Sequence, residues 1–283
     1  MVGSLLAEHC RALGDEVVAL DHAGLDIADE RAVRAAFAGA KPDAAINCAA
    51  WTDVDGCELD PQRAFLVNSQ GVETLATASR RAGACFVTVS TDYVFDGRRE
   101  DHFYTQRDDP HPLSAYGASK LEGERRAQAA SARTVVVRTG WIFGPGGKNF
   151  LATAMERARR GERLRAISDS YGTPTYAADL AARLRELAAL DLPGVFHVVN
   201  SGEGTSFEGF AREAAAVAGA AGVEIESVLT DSLKRLAPRP RNSRLRCLLS
   251  EAVGLTPLRD WREALAEFAA LTAGDAAGGA HAP

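Results

Sequence analysis

The 283-residue chain is poor in the features that mark several functional classes. Its five cysteines, Cys10, Cys48, Cys57, Cys85 and Cys247, include no CxxC pair. An odd, scattered set argues against a disulfide framework or a zinc centre and suits reduced thiols. The net charge is −6, so no broad basic field exists for nucleic acid or another polyanion. No apolar run reaches the roughly 20 residues that span a bilayer. The first residues lack the basic and apolar regions of a secretory signal. His102, His111 and His197 are too dispersed to hold a metal, and no internal repeat is visible. These absences leave a soluble, cytoplasmic globular protein. Its 46% hydrophobic and 25% charged residues are enough for one large or two modest domains.

Short β-branched runs alternate with helical patterns, which predicts an α/β fold around a doubly wound parallel sheet. The expected strands are Glu16–Asp21, Asp43–Cys48, Ala84–Ser90, Arg133–Thr139 and Val195–Asn200. Their near-continuous apolar character suits burial on both faces. Helices are expected at Pro61–Arg81 and Ser114–Ala130, and an amphipathic one at Asp260–Leu271. The alternation loosens after about residue 145. The expected division is a Rossmann domain of residues 1–145 with 176–200 and a smaller mixed α/β substrate domain of residues 146–175 with 201–272. A small, polar tail at 273–283 is expected to be disordered, as part of the stretch Thr272–Pro283.

Tyr116 and Lys120 lie four apart on a predicted helix and so share a face. A free phenol titrates near 10 and is a poor acid at neutral pH. A neighbouring ammonium stabilises the phenolate and brings it toward the working range. Such a pair arises often by chance, as an exposed Tyr and Lys. Its context is more specific: the run Val87–Gly97 is a buried strand ending in Ser90, Thr91 and Asp92, and ligands of open α/β sheets bind beyond the carboxyl ends of strands. The structural alternative for Thr91 and Asp92 is a turn or cap.

Together these residues carry a resemblance. Ser90–Gly97 (STDYVFDG), Tyr116–Lys120 (YGASK) and Arg138–Gly144 (RTGWIFG) are similar to the dTDP-4-dehydrorhamnose reductase family of extended short-chain dehydrogenases. Asn47–Asp55, Leu121–Glu124, Gly172–Thr175 with Asp179-Leu180, Arg239–Leu245 and Asp260–Leu265 agree with it, in order over nearly the whole chain. The resemblance implies reduction of dTDP-4-dehydrorhamnose to dTDP-L-rhamnose, with Thr91, Tyr116 and Lys120 catalytic and Tyr116 donating the proton. It places Gly3, Asp21, Asp26, Ile27, Cys48, Ala49, Ala50, Trp51 and Asn68, with Tyr116 and Lys120, toward the cofactor. Asn68 resembles an asparagine that supports the active-site strands. Thr52, Asp92, Tyr93 and Trp141 would face the sugar or nucleotide. Arg239, Asn242 and Ser243 would close over the substrate, the arginine suiting a diphosphate; the alternative is a solvated basic loop. The implied cofactor is NADPH or NADH. Asp21 at a strand end favours a ribose hydroxyl and hence NADH. Mg2+ is compatible with the resemblance but not determined by the residues. The expected partner is the nucleotide sugar, with a homodimer as a further expectation.

A doubly wound dinucleotide fold opens with a strand and a glycine-rich turn. Here Met1-Val2-Gly3 matches only the end of that turn. The expectation is a start placed downstream of the true one, since a central strand contributes on the order of 10 kcal/mol of burial. Two other readings stay open: a related nucleotide-sugar epimerase or dehydratase, and a non-catalytic subunit like the methionine adenosyltransferase β subunit. The sugar specificity and the oligomeric state are not legible.

Overall fold

A computed structural model describes residues 1–147 and 150–278, with side chains through residue 272. In chain order the elements begin with α1 (Val2–Ala12), α2 (Glu30–Ala40), β1 (Ala44–Asn47), α3 (Val54–Leu59), α4 (Pro61–Phe65), a π-helical segment (Leu66–Gly71), α5 (Val72–Ala82) and β2 (Cys85–Thr91). There follow α6 (Ala115–Ala130), β3 (Thr134–Thr139), β4 (Ile142–Phe143), α7 (Phe150–Arg159), β5 (Leu164–Ile167), β6 (Tyr171–Gly172), β7 (Thr175–Tyr176), α8 (Ala177–Leu190) and β8 (Gly194–His197). The chain closes with β9 (Thr205–Ser206), α9 (Phe207–Val217), β10 (Ile225–Val228), α10 (Leu248–Ala252) and α11 (Trp261–Gly278).

The main sheet is parallel, in the order β1-β2-β3-β8. Strand period decides which helices cover it. Cys85 and Val87 of β2 and Val135 and Val137 of β3 turn to one face, where Leu180, Leu184 and Leu187 of α8 and Leu6 and Cys10 of α1 meet them. Phe86 turns to the other face, against Val72, Leu75 and Ala76 of α5 and Ala127 of α6. Each large apolar side chain buried this way contributes roughly 1.5–3 kcal/mol. A separate core gathers Phe143, Leu151, Met155, Tyr176, Phe210, Trp261, Leu265 and Phe268. Trp261, within the DWREAL segment, is therefore core. Among the described residues no helix is long and apolar enough to cross a membrane.

Three expectations need correction. Glu16–Asp21 forms no strand, and Val18 and Leu20 are largely exposed. A strand exists through its ladder, and among the described residues nothing pairs with this stretch; β1 is the sheet edge on that side. The helix expected over Pro61–Arg81 is interrupted by the π-helical segment. The last helix does not stop at Leu271: it runs to Gly278, so most of the tail expected to be disordered is helical, and only 279–283 lie outside the described residues.

Candidate active site

Ser114 caps α6, its hydroxyl accepting the Gly117 amide at 3.2 Å. Gly117 lets the helix press against the chain leaving β2, because a Cβ there would collide with the Tyr93 carbonyl oxygen. The close approach brings Tyr116 to the carboxyl end of β2, with its ring edge-on to that of Tyr93 at 6.1 Å. Burial pushes the Tyr116 phenol above its ordinary value, and a hydrogen bond from Thr91 pulls in the opposite direction. One turn on, Lys120 is buried and its Nζ donates to the Val89 carbonyl oxygen at 2.7 Å. Burial lowers this ammonium to about 8, while Glu124 works to raise it. Thr91, Tyr116 and Lys120 thus converge at one strand end.

Thr91 Oγ1 donates to Asp92 Oδ1 at 3.1 Å and accepts the Tyr93 amide at 3.2 Å. Asp92 Oδ2 is buried and has no hydrogen-bond partner among the described residues. Burial raises this carboxyl to about 6, with Ser243 and Thr91 pulling it down. Burial likewise pushes the Tyr93 phenol up to about 12.

The turn after β1 forms the second wall. Asn47 Oδ1 accepts the Ala49 amide at 3.0 Å, and Asn47 Nδ2 donates to Thr88 at 3.2 Å. Asn68, buried in the π-helical segment, accepts the Trp51 amide at 2.8 Å. It donates to the Trp51 carbonyl at 3.0 Å and to Ser119 at 3.1 Å. The asparagine therefore fixes the Cys48–Trp51 turn against α6. Burial pushes the Cys48 thiol up to about 11. Gly3 lies alongside, in the first turn of α1, where a Cβ would sit 3.7 Å from that of Cys48. Ala50 is half-buried, Trp51 lies under the Arg63 guanidinium at 4.6 Å, and Thr52 is exposed.

Asp21, Asp26 and Ile27 stand apart from this cluster. Asp21 and Asp26 are exposed and cap local turns, accepting the Gly24 amide at 2.9 Å and the Ala28 amide at 3.0 Å. Ile27 is core, packed with Val72 and Leu75. Trp141, just past β3, adopts a left-handed φ of 49° and stacks on Phe207 at 3.8 Å. Arg239 is held by Asp55 through two contacts of 3.0 Å. Asn242 donates to the Arg99 and His102 carbonyls at 2.6 and 2.7 Å and accepts from Arg244, so its amide braces a loop. Ser243 is buried beside Asp92. Of the other arginines near Arg239, Arg241 pairs with Asp231, Arg246 with Glu251 and Arg244 with Asp101. Among the described residues Arg235 forms no ion pair; it lies near Tyr93, Asp55 and Arg239.

Asn47, Asp55 and Ser119 were not singled out by the sequence. Each carried a positional signal only, Asn47 and Asp55 as the ends of a matched segment and Ser119 one residue before Lys120 in the same motif. Glu124 and Arg138, within matched segments but without a role, form a buried ion pair at 2.7 Å.

A family model described as the RmlD substrate binding domain matches residues 1–273. The chain is 40% identical over 272 residues to the spore coat polysaccharide biosynthesis protein SpsK of Bacillus subtilis, covering 94% of this chain and 93% of that protein. It is 39% identical over 279 residues to a dTDP-4-dehydrorhamnose reductase of Mycolicibacterium smegmatis, covering 97% and 84%. The crystal structure of dTDP-4-dehydrorhamnose reductase from Bacillus anthracis in complex with NADP superposes with a TM-score of 0.90 at 32% identity, covering 94% of each chain.

Proposed function

Because the chain belongs to the dTDP-4-dehydrorhamnose reductase family, we propose that it reduces the 4-keto group of dTDP-4-dehydrorhamnose to give dTDP-L-rhamnose, a precursor for cell-surface polysaccharide. The observation that carries this reading is the convergence of Thr91, Tyr116 and Lys120 at the carboxyl end of β2. The residues present suit a nicotinamide cofactor, NADPH or NADH. Lys120 uses one of its three N–H donors on Val89, leaving two for ribose hydroxyls. The Cys48–Trp51 turn and Gly3 offer a close backbone wall beside it. When bound, the cofactor supplies the hydride.

The chain's own residues do the rest. Tyr116 gives its hydroxyl proton to the sugar carbonyl oxygen, which becomes the product alcohol, and the phenolate left behind faces the Lys120 charge. Thr91, turning its single hydroxyl proton away from Asp92, donates to the same oxygen and holds it in reach of the phenol. The sugar lies between Asp92, Tyr93 and Trp141, under the portion built from residues 146–175 and 201–272. With Arg239 held by Asp55, Arg235 is the arginine of residues 235–246 that, among the described residues, has no ion pair and can meet the diphosphate. Loss of reduced-nicotinamide absorbance on adding the 4-keto sugar, with rhamnose as the sugar recovered, tests the reading. No turnover by the folded parent chain would overturn it.

A further inference from the structure

Behind the reacting groups lies a polar cluster that this chemistry does not use. Glu124 sits one helical turn after Lys120 on α6, on the same face, and is 3% exposed. Its carboxylate accepts from Arg138 Nε at 3.0 Å and Arg138 Nη2 at 2.7 Å, and from the Ser90 hydroxyl at 2.5 Å. Arg138 is itself buried on β3, with its guanidinium 5.2 Å from the Phe95 ring centre. Ser90 directly follows Val89, whose carbonyl receives Lys120 Nζ. Next to Glu124, Gly123 lets α6 touch the π-helical segment, because a Cβ there would collide with the Asn68 carbonyl oxygen.

A buried ion pair is a costly feature that an apolar pair of similar volume can often replace without loss of stability. Its place here suggests a use. We propose that Glu124, held by Arg138 and Ser90, is a positioning residue that keeps Lys120 cationic and aimed along the end of β2. The inference rests on the reductase reading given above.

Few other groups act on this ammonium. Around α6 lie Cys48 at the end of β1, Cys57 and Glu58 on α3, Arg63 on α4, Asp92 and Tyr93 beyond β2, and Arg138 on β3. Glu58 accepts the Ala115 amide at 2.6 Å and Arg63 covers Trp51. Among the described residues Glu124 and Cys48 are the groups that bear on Lys120 by charge, and the Cys48 thiol, pushed up to about 11, stays neutral at working pH. Glu124 is therefore, among the described residues, the carboxylate that works to raise the Lys120 ammonium against its burial.

Removing Glu124 alone strands a buried arginine without its counter-charge and can unfold the protein. The test variant is accordingly E124Q/R138Q, which removes both charges while keeping side-chain size; E124D keeps the charge. The chain has four lysines, Lys41, Lys120, Lys148 and Lys234, so lysine labelled with carbon-13 at Cε gives four NMR signals, and K120M identifies the one that matters. The expected result is that the Lys120 midpoint falls by about one pH unit in the double variant, a tenfold loss of proton affinity, and stays within 0.3 units (roughly a factor of two) in E124D. The alkaline limb of kcat/KM follows it down, with turnover near pH 6.5 retained. A folded double variant whose Lys120 midpoint does not move overturns the proposal, whether or not the chain reduces the sugar. A parent that titrates as expected but turns nothing over overturns the reductase reading alone.

Discussion

Replacing Asn68 by alanine tests how the site is held together. The side chain is almost wholly buried and makes three hydrogen bonds, at 2.8, 3.0 and 3.1 Å. Two of them satisfy both backbone groups of Trp51 and the third reaches Ser119 on α6. A hydrogen bond contributes about 1 kcal/mol net, and an orphaned buried donor or acceptor costs about 1–3 kcal/mol. Water can reach part of the half-buried Trp51 backbone, so the expected loss is about 2–4 kcal/mol rather than the full sum. For a chain of this length each kcal/mol lowers Tm by roughly 2–4 °C. N68A should therefore melt about 5–15 °C below the parent, with a lower urea midpoint and an unchanged slope. Because the Cys48–Trp51 turn loses its anchor, cofactor affinity should fall as well, by about tenfold. The matched control is Ser119→Ala, which removes the third bond together with the Ser119 hydroxyl's own bond to the Tyr116 carbonyl oxygen at 2.8 Å and should cost about 1–2 kcal/mol. An N68A protein that melts within 1 °C of the parent would show that the turn is held by something other than this side chain.

Three other outcomes follow from the same geometry. Tyr116→Phe keeps the ring and removes the proton, so turnover should drop about 10²–10⁴-fold with cofactor affinity nearly unchanged; near-normal reduction would refute the assignment. Arg235→Ala should raise KM for the nucleotide sugar about 10-fold or more, as expected for a lost charge-assisted contact, and leave kcat close to the parent; an unchanged KM would return the diphosphate to another cation. Burial raises Asp92 from 3.8 to about 6, so the folded state holds this proton more tightly than the unfolded chain does. Its stabilising contribution is complete below about pH 4 and is lost as pH rises through 6, a change of about 3 kcal/mol. Urea melts of D92N should lack that decline, and parallel stability profiles for D92N and parent would refute it.

Most of the fold was legible because strand burial and helix period are local signals. The runs at Ala44–Asn47, Cys85–Thr91, Thr134–Thr139 and Gly194–His197 are where the apolar pattern put them, within one or two residues at most ends. Glu16–Asp21 has the same local pattern and failed, since a ladder is a property of two segments and not of one. The tail failed for the opposite reason. Its small residues were weighed by polarity, yet alanine is the best helix former, and a helix already packed through Trp261, Leu265 and Phe268 propagates into them at little cost. The widening at Leu66–Gly71 shifts hydrogen bonds by one residue without any change in apolar spacing, so periodicity has nothing to register.

The site divides along the same line. Tyr116 and Lys120 were readable because four residues on a helix fix a common face, and Thr91 because it ends a buried strand. Partner choice was not readable. Asp55 and Arg239 are 184 residues apart, and only the folded chain shows that the arginine expected to meet a diphosphate already holds a carboxylate. Arg235, four residues earlier, has the same charge and the same apparent claim, and the difference between the two is made entirely by where Asp55 lies. Glu124 is the intermediate case. Its spacing from Lys120 was visible and its burial was not, and a glutamate on a solvated helix face would have meant a surface pair worth a few tenths of a kcal/mol. Buried against Arg138, the same residue and the same spacing become a fixed charge behind the active lysine.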